Sequence, residues 1–370
     1  MYPGSSYLRN GEMARVRTPT ITEAKMTDQK AGRPKRFIAV EEAYATEKWT
    51  AHTKSLKIPA EELPEQDYLR FLDEVPFVRN GLIDWRARLR IMDECGVDMH
   101  ILSITIPGVQ LDDAQSGTAM AKDLNDELAS TIAAYPGRFA GLAAVAPQDP
   151  AGAAKEIQRA ISSLHLNGII INSHTHGKYL DDPALEPLLA SAQDNNATLY
   201  LHPRLPSPAM YPPYKDYGMV SAMWGFAAEG GTHALRMIMS GVFDRFPRLK
   251  VVLGHMGEAL PYWLYRLDNM NTKLRKMGGE KLGMKTLQLQ PSEYIKRNFA
   301  ISTSGMDDPD VLAFCLKKLG DDNIMFAIDY PYEDSNHAVK FLMDAPLTAD
   351  QRRKISHANA ERFFSIEPSG

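Results

Sequence analysis

From residue 37 onward, eight short runs of β-branched and aliphatic residues recur along the chain, separated by longer amphipathic stretches. The runs are Phe37–Val40, Met99–Thr105, Phe139–Val145, Gly168–Ile171, Ala197–Leu201, Lys250–Leu253, Phe299–Ser302 and Ile324–Ile328. Most are apolar from end to end, as strands covered on both faces should be. Between them, Trp85–Cys95 stops at Gly96 and Thr118–Ala134 stops before Pro136-Gly137. Ala151–Leu164 follows Asp149-Pro150, a capped helix start. Leu185–Gln193, Glu258–Lys276, Pro309–Leu319 and Ala349–Phe363 read as further helices. Eight such alternations predict an α/β fold, a (β/α)8 TIM barrel, with a doubly wound sheet as the alternative.

The strand ends favour the barrel, where chemistry gathers at the C-terminal face. They read Glu41-Glu42, Pro107, Pro147, His174, His202, His255, Ser302-Thr303-Ser304 and Asp329. Two long connections, 47–84 and 204–235, are rich in Pro, Tyr and Trp and are expected to form pocket loops. Residues 37–370 are read as one catalytic domain.

Residues 1–36 differ from the rest. Eight basic and three acidic residues give this segment +5, leaving −9 on a body whose whole-chain charge is −4. Gly, Ser, Thr and Pro break its periodicity, so a flexible basic extension is expected. It has no apolar core of a secretory signal. No run approaches the ~20 apolar residues of a membrane span. The mild acidity disfavours nucleic acid as a partner. Only Cys95 and Cys315 are present, too few for a disulfide scaffold, and a cytoplasmic setting fits. Nucleotide-binding glycine loops and the Gly-x-Ser-x-Gly elbow are absent.

Glu41, His202 and Asp329 offer two carboxylates and one imidazole from strands one, five and eight, a donor set suited to one divalent cation. Two adjacent buried carboxylates repel unless a cation lies between them. Pairing with arginine or loop capping is the plainer reading of each residue alone. His255 lies in Gly254-His255-Met256-Gly257-Glu258, where Glu258 could set the imidazole tautomer. His174 is a further candidate at the end of strand four. Arg204 and Arg236 could each grip a substrate carboxylate, although an ion pair is the default for Arg236. Trp224 and Phe226 could stack on an aromatic ligand.

Val40-Glu41-Glu42-Ala43-Tyr44, Leu201-His202-Pro203, Gly254–Tyr262 and Asp329-Tyr330-Pro331-Tyr332-Glu333 together resemble the amidohydrolase-superfamily decarboxylases. That branch includes γ-resorcylate, 2,3-dihydroxybenzoate, salicylate and 5-carboxyvanillate decarboxylases. The resemblance spans about residues 37–365 and looks closest to the 5-carboxyvanillate and γ-resorcylate members. It implies a metal-dependent barrel holding one divalent ion, Mn²⁺ with Zn²⁺ as the alternative. Glu41, His202 and Asp329 match the metal ligands, and His255 matches the active-site histidine. The first strand lacks His-x-His, with Ala43 where some γ-resorcylate enzymes add a histidine, and strand four offers no bridging lysine. A mononuclear site follows from the resemblance.

The implied reaction is non-oxidative decarboxylation of an ortho-hydroxybenzoate, a carbon-carbon lyase activity with Asp329 protonating the ring carbon. The implied partner is a small aromatic carboxylic acid, and the assembly a homodimer or homotetramer. The alternative is a metal-dependent hydrolase acting on a lactone, ester or amide through a metal-bound water. Hydration of a diene acid is a third reading.

Overall fold

A computed structural model of the chain describes residues 33–368. The eight runs form strands β1 (Ile38–Tyr44), β2 (Met99–Ile104), β3 (Phe139–Ala144), β4 (Gly168–Asn172), β5 (Thr198–His202), β6 (Val251–Leu253), β7 (Phe299–Ser302) and β8 (Ile324–Met325). They pair in chain order, each parallel to the one before. The sheet curls until β1 meets the segment just past β8. There Val40 N–H donates to Phe326 O at 3.1 Å and Ala43 N–H to Tyr330 O at 2.9 Å. This seam makes the sheet a (β/α)8 barrel.

Strands β1 to β4 are buried along their whole length. Each fully buried Val, Leu, Ile or Phe contributes roughly 1.5–3 kcal/mol of apolar transfer. The connections hold helices α1 (Glu47–Ser55), α2 (Leu63–Asp73), α3 (Pro76–Ile83), α4 (Trp85–Cys95), α5 (Ala114–Ala134), α6 (Pro150–Ser162), α7 (Glu186–Asp194), α8 (Gly225–Met239), α9 (Leu260–Lys276), α10 (Pro291–Asn298), α11 (Pro309–Leu319) and α12 (Ser335–Asp344). Side-chain caps start several of them. Asp84 accepts from Arg86 and Ala87 N–H before α4, and Asp149 accepts from Gly152 N–H before α6.

Four expectations change. Strand β1 runs on to Tyr44, with a register irregularity between Ala39 and Glu42, so Glu41 lies inside the strand rather than past its end. A bulge of this kind re-aims side chains beside active sites. Segment 47–84 is not a loop but three helices, started by the Thr46 cap and by Pro76 at a first helical position. The last helix is broken, since Lys354–Ala358 widens into a π turn between Ala349–Arg353 and Asn359–Phe363. Helices α10 and α12 form where the sequence reading placed none. Residues 1–32 of the expected extension lie outside the described residues. The body of the fold begins at Pro34, and Arg36 is tied to Glu361 Oε1 and Glu367 O, both at 3.0 Å.

Candidate active site

Glu41, His202 and Asp329 each present one ligand atom, and these atoms lie within 4.8 Å of one another. The surroundings leave those atoms available. Glu41 Oε2 accepts from the Tyr200 hydroxyl and, at 2.8 Å, from Ser302 Oγ. Glu41 Oε1 is buried and has no hydrogen-bond partner. Burial, then the Glu41 carboxylate, holds the Tyr200 phenol well above its usual range, so it stays a donor. The His202 ring places Nδ1 2.6 Å from Pro203 O, which assigns the proton to Nδ1 and leaves the Nε2 lone pair directed at Glu41 Oε1, 3.4 Å away. Gly254 makes room, because a Cβ there would come within 2.6 Å of Glu41 Oε1. An unpartnered carboxylate oxygen facing an imidazole lone pair and a second carboxylate fits a divalent cation.

His255 projects from an unusual backbone. His255, Met256, Gly257, Glu258 and Ala259 all have positive φ, between 49° and 79°. The result is one left-handed turn, inserted where the sequence reading began a right-handed helix. Four of the five residues are not glycine, and each costs roughly 1–2 kcal/mol in this conformation. At the fifth, Gly257, a Cβ would lie 2.7 Å from Ile301 Cγ2. Such strain persists where packing over-determines the site. Here it brings His255 Nδ1 to 2.7 Å from Glu258 Oε1 and places Nε2 3.7 Å from Asp329 Oδ2 and 3.9 Å from Glu41 Oε1. Burial pulls the imidazole down, but Glu258, Glu41 and Asp329 together outweigh it and hold His255 well above its usual range.

Behind the cluster, Glu42 is fully buried and is raised to about 7 by desolvation, against the lowering effect of two backbone N–H groups and Arg88.

A cavity of about 210 Å³ stands over the cluster, lined by Tyr68, Leu72, Ser103, Thr105, Ile106, Asn172, Ala222, Phe226, Tyr332 and Glu333 along with Glu41, His202, His255 and Asp329. Phe226 meets Tyr68 edge to face, centroids 6.2 Å apart, as an aromatic wall. Asn172 pairs with His202 across β4 and β5, so both side chains point into the barrel, and its buried Oδ1 has no partner. A second cavity of about 600 Å³ adjoins the first and is lined by Trp224, Phe226, Tyr262 and Phe314.

Three sequence-derived candidates do not reach the cavity. His174 is buried, donating from Nε2 to Leu205 O at 3.2 Å and accepting Gly177 N–H at Nδ1, so both nitrogens are satisfied by backbone. Arg204 is fully buried between Glu65 (3.1 Å) and Glu62 (3.3 Å), clamping the start of α2. Arg236 lies in the last turn of α8, half exposed, in a bidentate pair with Asp181 at 2.9 and 2.7 Å. Among the described residues, the cavity of the ligand cluster has no lysine or arginine in its lining. Tyr68, Tyr332 and Asn172 were missed as lining residues. Asn172 had a signal in its place at a strand end, and Tyr332 in its place within Asp329–Glu333; Tyr68 had none.

The amidohydrolase family model matches residues 79–366. The chain is 33% identical over 338 residues to γ-resorcylate decarboxylase of Polaromonas sp., covering 89% of this chain and 98% of that protein. The crystal structure of 5-carboxyvanillate decarboxylase from Sphingomonas paucimobilis is 45% identical, with a TM-score of 0.85 over 90% of this chain and 99% of that one. A 5-carboxyvanillate decarboxylase from Novosphingobium aromaticivorans is 34% identical, with a TM-score of 0.79 over 89% and 96%, and its structure holds manganese and 4-hydroxy-3-methoxy-5-nitrobenzoic acid. With its barrel, its strand-end cluster and these matches, the chain belongs to the amidohydrolase family.

Proposed function

We propose that this chain is a carboxy-lyase that removes CO₂ from an ortho-hydroxybenzoate, with Glu41, His202 and Asp329 holding one divalent cation, Mn²⁺ by preference. The observation that carries this reading is Asp329, one carboxylate that belongs to the ligand cluster and also lines the cavity. When bound, the cation supplies Lewis-acid charge neutralisation to the substrate's phenolic and carboxylate oxygens. Asp329 delivers a proton to the ring carbon that bears the carboxylate, forming a C–H bond with transient loss of aromaticity. The bond to the carboxylate then breaks, its electron pair restores the ring, and CO₂ leaves. Asp329 takes up a proton again for the next turnover.

His255 lines the cavity with Nε2 3.7 Å from Asp329 Oδ2 and is placed to bond a charged substrate oxygen. Glu258 orients it. Tyr68 and Phe226, in edge-to-face contact, give the ring an apolar wall on one side of the cavity. Similarity to decarboxylases at 33% and 45% identity supports this reaction over hydrolysis of a lactone, ester or amide.

The test is a panel of 5-carboxyvanillate, γ-resorcylate, 2,3-dihydroxybenzoate and salicylate with Mn²⁺-loaded protein, followed by product absorbance and CO₂. Turnover of at least one acid supports the reading. Turnover of lactones with none of the acids reacting would overturn it.

A homodimer or homotetramer goes with this reading. Its support is the exposed aromatic surface of Tyr262 (74% exposed), Trp263 (48%) and Tyr265 (77%) at the start of α9. Sedimentation at micromolar concentration checks it, and a monomer would contradict it. Among the described residues no helix is long and apolar enough to cross a membrane. Cytoplasmic location remains part of the proposal, on the strength of two cysteines in 370 residues.

A further inference from the structure

Among the described residues, Glu42 is a fully buried carboxylate beside the cluster that the reaction does not use. Its two oxygens accept from the N–H of Ile328 at 2.9 Å and of Tyr330 at 3.0 Å, the residues on either side of Asp329. Asp329 itself sits at φ +78°, a conformation that a non-glycine residue keeps only when its surroundings impose it. The contact falls at the barrel seam, where Val40 and Ala43 N–H reach the chain past β8. Between those two ladder bonds, the Glu42 carboxylate takes the place of main-chain acceptors. The clamp is braced from behind. Arg88 donates to Ala43 O and, at 3.1 Å, to Gly81 O, and its guanidinium lies 4.4 Å over the Tyr330 ring. His100 Nδ1 lies 3.9 Å from Glu42 Oε2.

We propose that Glu42 is a positioning residue for the cation site, gripping the backbone on both sides of Asp329 and so aiming its carboxyl at Glu41 and His202. Strand β1 thereby supplies one ligand, Glu41, and fixes the orientation of another. The inference rests on the reading that these three residues hold a divalent ion.

The test is Mn²⁺ titration of the metal-stripped full chain, read by the electron paramagnetic resonance of free Mn²⁺. Thermal unfolding without metal and steady-state kinetics are measured in parallel. Glu42→Gln turns one clamping acceptor into a donor, and Glu42→Asp pulls the carboxylate back by one methylene. Both are expected to fold, to weaken Mn²⁺ binding about 10- to 100-fold, and to lower kcat at saturating metal. Mn²⁺ affinity within twofold of wild type in both folded variants would overturn the proposal. So would failure of both to fold, since the carboxylate would then serve the fold and not the ligand. Wild-type protein that binds no Mn²⁺ would instead sink the ligand assignment itself, and this inference with it.

Discussion

Glu41 Oε1 lies 3.4 Å from His202 Nε2, and the His202 proton is held on the far side of the ring by Pro203 O. Two lone pairs therefore face each other beside Asp329, an arrangement that a cation stabilises. Glu41→Gln, His202→Ala and Asp329→Asn should each lower Mn²⁺ affinity by more than the roughly 10- to 100-fold typical of an outer partner. Metal content after desalting checks this, and wild-type content in any variant would remove that residue from the ligand set.

Glu258 Oε1 reaches His255 Nδ1 only because five consecutive residues turn left-handed. His255→Asn should therefore lower kcat by about 10²- to 10⁴-fold, the range for a residue that handles protons or charge at the reacting group. Glu258→Gln should lower kcat less, because an amide oxygen can still accept from Nδ1. Both should retain bound metal. Equal kcat in wild type and His255→Asn would rule out the assigned role.

Arg204 stands buried between two carboxylates, and Glu65 is pushed up by burial while Arg204 pulls it down. Arg204→Leu leaves Glu65 buried without a cation and Glu62 with His176 alone, and should destabilise the fold by about 3–5 kcal/mol. Adding Glu62→Gln and Glu65→Leu should recover much of that loss. Chemical denaturation measures both. Unchanged stability with a raised substrate KM would instead return Arg204 to substrate binding.

His176 Nδ1 lies 3.5 Å from Glu62 Oε1, linking the turn after β4 to the helices of segment 47–84. The bond to Glu62 raises His176 despite partial burial. Burial pushes Glu62 up, but His176 and Arg204 outweigh it and hold it low. The imidazole's contribution is fully present below its unfolded pKa of about 6.5 and is lost as pH rises through the higher folded value. The Glu62 contribution is present above about 4.3 and is lost as pH falls through the depressed value. Thermal unfolding of wild type should therefore show an alkaline loss that His176→Gln lacks. The same alkaline slope in both would dismiss the link.

The barrel was legible because its strands are apolar runs, and all eight runs carry a strand, although β1 runs on to Tyr44 and β8 covers only Ile324–Met325. The proximity of Glu41, His202 and Asp329 was legible because polar residues in or just past the strands are conspicuous against those runs. What could not be read is long-range partnership. Arg204 and Arg236 look alike in sequence, yet one is sealed against Glu62 and Glu65 and the other paired on the surface with Asp181. His174 follows a strand as His202 ends one, but the backbone of the distant Leu205 and of nearby Gly177 satisfies it. The left-handed turn at 255–259 gave no periodic signal, since helix-forming residues were overridden by packing against Ile301 and Pro261. The helices of 47–84 were hidden by prolines that start helices as readily as they end them.

Protonation by Asp329 of the carbon that loses CO₂ is the step on which the proposed decarboxylation turns. Its most direct test is turnover of the preferred hydroxybenzoate by Mn²⁺-loaded protein in D₂O, with the product read by proton NMR. One deuterium per product molecule is expected, confined to the vacated ring position, with no product after metal removal or in Asp329→Asn. Full activity of Asp329→Asn with bound metal, or products of hydrolysis in place of the deuterated ring, would contradict it.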